Sequence, residues 1–98
     1  MTKEEAQTAV MHGVNIAREL AQKGFSMLSA GEMGIGNTTS SSAVASALLR
    51  RAPAEMTGRG AGLSSLQLQN KIRVIEDALA CNAPDPNDPL DVLSKVCL

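Results

Sequence analysis

The densest chemical signal in the sequence is Gly31-Glu32-Met33-Gly34-Ile35-Gly36-Asn37-Thr38-Thr39. Three glycines so close together let the backbone reach hydrogen-bond distance of an anion and adopt positive φ. The residues that follow open a helix, whose free amides and dipole favour negative charge. Gly31-x4-Gly36-Asn37-Thr38 has the outline of a Walker A loop with Asn37 at the lysine position. Without that lysine, nucleoside triphosphate chemistry lacks its main cation, and a phosphate monoester is the better fit. A glycine-rich turn is also a common connector that binds nothing, and the pattern alone leaves both readings open.

Three further features bear on this turn. Gly58-Arg59-Gly60-Ala61-Gly62 allows a second nest of backbone amides. Glu32 lies inside the first turn, where a carboxylate repels a phosphate unless it faces a cation or a sugar hydroxyl; alternatively it satisfies amides of its own loop. Lys71 has three available fates. It snorkels to solvent, reaches a phosphate held by the first turn, or neutralises Glu32.

The elements that must position these residues follow from caps and periodicity. Thr2 and Glu5 form a capping box. Ala6, Val10, Gly13, Val14, Ala17 and Ala21, flanked by Leu20, then trace one buried helical face until Gly24. Gly13 on that face suits close approach of a neighbouring backbone, and His12 falls on the polar side. Residues 25–30, bounded by Gly24 and Gly31, predict a short buried strand. Asn37 or Thr38 caps a helix that runs to Arg50 and Arg51, placed to complement its dipole ahead of Pro53.

Ser64 with Gln67 caps the next helix, whose apolar stripe is Leu68, Ile72, Ile75 and Leu79, with Arg73 and Asp77 paired on the exposed side. After a proline-rich loop, Asp88 as cap and Pro89 as first residue open a last helix through Val96. The predicted order is helix, strand, helix, helix, helix.

Composition narrows the function further. Nine Lys plus Arg against ten Asp plus Glu give a net charge of -1, and the single aromatic residue is Phe25, so neither a basic footprint nor a stacking platform for nucleic acid is present. No apolar run approaches a membrane span, and the acidic start is unlike a signal peptide, so the expected setting is cytoplasmic. One histidine and two widely spaced cysteines make a poor zinc set. Cys81 and Cys97 are expected as free thiols, although their spacing permits a disulfide. A chain of 98 residues, 44% apolar and rich in Ala and Leu, builds only a thin core and is expected to be one partial domain, 1–98, of something larger.

Gly31–Thr39, Thr57–Leu63, Asn70-Lys71-Ile72, Asp88–Val96 and the opening Met1–Ala6 together resemble the nicotinate-nucleotide–dimethylbenzimidazole phosphoribosyltransferases. The likeness runs through essentially the whole chain. It implies an α/β fold of three layers with a parallel sheet, mostly helical in this segment, and a homo-oligomer, usually a dimer. The implied reaction moves phosphoribosyl from nicotinate mononucleotide to 5,6-dimethylbenzimidazole, giving α-ribazole 5'-phosphate and nicotinate in cobalamin biosynthesis, with no cofactor. By resemblance, Gly34, Gly36, Asn37 and Thr38 hold the nucleotide phosphate, Lys71 supports it, and Glu32 lies beside the ribose and incoming base. Members of that family are several-fold longer. Their general-base glutamate and much of the base pocket belong to segments without a counterpart here, so this chain alone is expected to be a poor catalyst.

Overall fold

A computed structural model describes residues 1–97; Leu98 lies outside the described residues. These residues form five helices, α1 (Lys3–Gln22), α2 (Asn37–Leu49), α3 (Pro53–Met56), α4 (Ser65–Asn82) and α5 (Pro89–Val96). Helix starts follow the caps. Glu5 N–H donates to Thr2 Oγ1 at 3.1 Å while the Glu5 carboxylate accepts from Thr2 N–H at 2.7 Å, and Ser64 with Gln67 repeats the arrangement on α4. Asp88 accepts from the amides of Leu90 and Asp91 ahead of Pro89, so α5 begins where proline's missing donor costs nothing.

Helix α2 occupies the centre, packing on α3, α4 and α5, while α4 also meets α3 and α5. Its inward residues are small: Ser42, Ala43 and Ser46 are buried and let its neighbours approach closely. Ile75 of α4 and Val92 of α5 are the largest fully buried side chains, each stabilising the bundle by roughly 1.5–3 kcal/mol through burial. Among the helices α1 touches only α5, with Ala6 as its one buried residue. The Lys3 ammonium pairs with Asp88 across this contact.

The sequence expectation fails instructively in four places, and in a fifth at the start of α2 described below. No strand forms among the described residues, and residues 25–34 run as irregular chain with Met27 87% exposed and Met33 82% exposed. A strand needs a neighbour to take its amides and carbonyls, and none of the described residues forms a strand alongside it. Second, the α1 stripe is covered only in part: Val14, Ala17 and Leu20 are half-buried, whereas Val10, Gly13 and Ala21 are exposed. Nothing lies within 4 Å of a Cβ built on Gly13, so no backbone approaches there.

Third, α2 stops at Leu49, with Arg50 in the left-handed region at φ 53° rather than in the last turn. The Arg50 guanidinium reaches Asn87 Oδ1, and Arg51 pairs with Glu55 on the unforeseen helix α3. Fourth, Arg73 donates to Asn70 Oδ1 at 2.9 Å in place of the expected partner Asp77.

The shape explains the bare faces. The radius of gyration is 15.4 Å, against about 12.6 Å for a compact domain of this length. The accessible surface is 6932 Å², where a compact monomer of this mass exposes about 5300 Å². The excess of roughly 1600 Å² is surface that a compact domain of this mass covers. No described helix is long and apolar enough to cross a membrane.

Candidate functional site

Two glycines set the first turn. Gly34 has φ 87° and Gly36 has φ 76°, conformations that other residues rarely adopt. Gly36, not Asn37 or Thr38 as the sequence suggested, is the N-cap of α2: Asn37 and Thr38 already lie inside the helix, and no side chain caps it among the described residues. The other three long helices place an oxygen on their first-turn amides; the first turn of α2 holds neither a capping side chain nor a carboxylate. Asn37 is half-buried, and its carbonyl accepts from Ser41 Oγ at 2.9 Å.

Lys71 is brought to this helix start from the second turn of α4. Its side chain does not snorkel: the residue is only 8% exposed. Nζ donates to Thr38 Oγ1 at 2.8 Å and to the Gly58 carbonyl at 3.2 Å. Three chain segments, the start of α2, the second glycine cluster and α4, therefore converge on one ammonium. No carboxylate among the described residues forms an ion pair with it. Burying an unpaired charge is costly, and an anion accepting from it is the ordinary remedy.

Gly60 completes the cluster. It sits at φ 56°, and a Cβ there would stand 3.0 Å from Thr38 Oγ1 and 3.7 Å from Lys71 Nζ. A notch of about 270 Å³ opens beside Thr38 and the second glycine cluster, walled by Thr38, Ser41, Ser42, Met56, Gly58 and Gly60, while Lys71 faces a different hollow. A larger hollow of about 880 Å³ runs along the outer side of α4 past Leu66, Asn70 and Val74. It is an open surface with Leu66 76% exposed, and Thr39, Leu63 and Lys71 connect it to the start of α2 and the second glycine cluster.

Of the six residues singled out from sequence, Thr38 and Lys71 are in direct contact, Gly36 and Asn37 precede Thr38 on the chain, and Gly34 is bonded to Glu32 instead. Glu32 stands apart. Its carboxylate accepts from the Gly34 N–H, closing a ring within its own turn. Its placement there matches the local reading of this carboxylate, and it forms no ion pair with Lys71 among the described residues. The Gly58 carbonyl and Gly60 are site members that sequence reasoning grouped only as a second nest. Their signal was the alternation of glycines, which cannot show which carbonyl meets which cation. No metal-binding cluster of His, Cys, Asp or Glu is found among the described residues, and both cysteines are free thiols.

A buried ammonium held between a helix start and a glycine turn is a local chemistry that suits an anion. A family model described as phosphoribosyltransferase matches residues 1–97, and the chain belongs to that family. It is 51% identical over 96 residues to nicotinate-nucleotide–dimethylbenzimidazole phosphoribosyltransferases of Ruminiclostridium cellulolyticum and Acetivibrio thermocellus. With the enzyme of the same name from Roseiflexus castenholzii the identity is 52%. Each alignment takes in 98% of this chain and 27% of the relative, so the chain spans about a quarter of the length of the curated relatives it matches.

Proposed function

We propose that this chain forms the phosphate-holding part of an enzyme that transfers phosphoribosyl from nicotinate mononucleotide to 5,6-dimethylbenzimidazole, releasing nicotinate and α-ribazole 5'-phosphate. The observation that carries the reading is the Lys71 ammonium, buried without a carboxylate and held between Thr38 and Gly58 at the uncapped start of α2. A phosphate monoester placed there gains a charge-assisted hydrogen bond from Lys71 and the free amides of the first turn. Gly34 and Gly36 keep the turn open enough for backbone contact.

The Gly34 amide is engaged by Glu32 in the free chain. Ligand binding at that amide therefore displaces the carboxylate, which frees Glu32 to meet a ribose hydroxyl or the incoming base. Every role in this scheme is binding and orientation; proton transfer from the benzimidazole is assigned to no residue of this chain. The irregular segment 25–34 and the bare face of α1 are read as the parts that join a parallel sheet in a three-layer α/β fold, and the roughly 1600 Å² of excess surface supports that reading.

Calorimetric titration of the 98-residue chain tests the proposal, with nicotinate mononucleotide against its phosphate-free riboside. Binding of the nucleotide with little binding of the riboside is expected, without turnover when dimethylbenzimidazole is added. Equal binding of the two, or none, rejects the phosphate site; turnover at an ordinary rate rejects the purely binding role.

The exposed apolar residues on α1 and in segment 25–35, Ile16, Met27 and Ile35 among them, support a second reading as a self-associating, non-catalytic module. Sedimentation that shows only monomer at high micromolar concentration rejects it.

A further inference from the structure

Lys71 is the cation of the proposed site, but a lysine has four rotatable bonds and does not hold one geometry by itself. Thr38 Oγ1 at 2.8 Å and the Gly58 carbonyl at 3.2 Å occupy two of its three N–H donors. One donor remains for a ligand oxygen. Gly60 is the residue that lets this arrangement exist, because a Cβ there would press on Thr38 Oγ1 at 3.0 Å. We propose that Thr38 is a positioning residue: its hydroxyl, together with the Gly58 carbonyl, fixes the Lys71 ammonium beside the first turn of α2 before the phosphate arrives. The inference rests on the phosphate reading above and adds to it how the cation is aimed.

The physical gain is preorganisation. An ammonium already ordered loses little side-chain freedom when the phosphate binds, so more of the interaction appears as affinity. The hydroxyl, not the bulk of the threonine, does this. Thr38→Ser keeps the acceptor, Thr38→Val keeps the shape and removes it, and Thr38→Ala removes it with a residue that favours the helix.

Calorimetric titration of the 98-residue chain and its variants with nicotinate mononucleotide and with the riboside separates positioning from general support. We expect Thr38→Val and Thr38→Ala to bind the nucleotide about tenfold more weakly, the scale of one lost hydrogen bond to a charged group. Riboside binding stays unchanged, and Thr38→Ser retains most of the nucleotide affinity. A merely structural threonine would lower the Tm of the free chain, and nucleotide affinity would not distinguish serine from valine. Because Ala favours the helix, the comparison does not depend on the valine variant folding. Nucleotide affinity unchanged in Thr38→Ala but lost in Lys71→Met overturns the positioning role and leaves the phosphate site standing. Nucleotide binding no tighter than riboside binding in the unsubstituted chain overturns both.

Discussion

Replacing Lys71 by Met distinguishes a lysine kept for a ligand from one kept for the fold. Lys71 makes hydrogen bonds of 2.8 and 3.2 Å at 8% exposure. Two hydrogen bonds from a charged donor contribute about 1.5–3 kcal/mol each, while desolvating the ammonium without a counter-ion costs several kcal/mol. The opposing contributions nearly cancel. Methionine fills similar space, and the oxygens it leaves behind line an open notch where water reaches them. The net change is therefore within about 1 kcal/mol, or about 4–8 °C in Tm for a chain of this length.

Ligand binding should respond quite differently. Nicotinate mononucleotide at one hundred times its Kd raises the stability of the unsubstituted chain by about 2.7 kcal/mol, which corresponds to about 11–22 °C. In Lys71→Met that rise should disappear. Far-ultraviolet circular dichroism is the suitable assay, since the chain has no Trp or Tyr to report by fluorescence. A Lys71→Met chain that melts near the parent and keeps the full ligand-induced rise would refute the argument that the buried ammonium serves the phosphate.

Other substitutions probe the same geometry. Gly60→Ala should destabilise by about 1 kcal/mol or more, from its positive φ and the clash with Thr38, whereas Gly58→Ala, with open space around its Cβ, should stay within about 0.5 kcal/mol; chemical denaturation measures both. Ser46 Oγ is buried without a partner among the described residues, so Ser46→Ala should leave stability unchanged or raise it by up to about 1 kcal/mol, read as an increase in Tm. The hydrogen bond from Lys3, reinforced by the Asp91 amide, holds the Asp88 carboxyl below its ordinary range. A carboxyl depressed in the folded state binds fewer protons there than in the unfolded chain, so its contribution is present above the ordinary carboxylate value and is lost as pH falls below about 4. Asp88→Asn should flatten the acid limb of a pH titration of Tm; an unchanged limb would show that other carboxyls set it.

Much of the helical framework was legible because it is local. Thr2 with Glu5, Ser64 with Gln67, and Asp88 with Pro89 mark helix starts through bonds spanning two or three residues, and all three starts form as expected. Helix α3 was missed because four residues carry no periodicity. The buried strand failed for the opposite reason: Phe25, Met27 and Leu28 have the composition of a strand, but pairing depends on a partner that lies far away or outside these residues.

The candidate site divides along the same line. Of the three glycines in the first turn, Gly34 and Gly36 adopt the positive φ that the sequence allows, and the helix opens at Asn37 as its local pattern indicates, though Gly36 and not Asn37 or Thr38 is the cap. The fate of Lys71 was open in the sequence among solvent, Glu32 and the first turn. Tertiary structure decided it by packing α4 on α2, which carries an ammonium 33 positions away onto Thr38 and leaves Glu32 bound to its own loop. Local bonds specify where helices begin, whereas the partner of a buried charge depends on which surfaces the folded chain brings together.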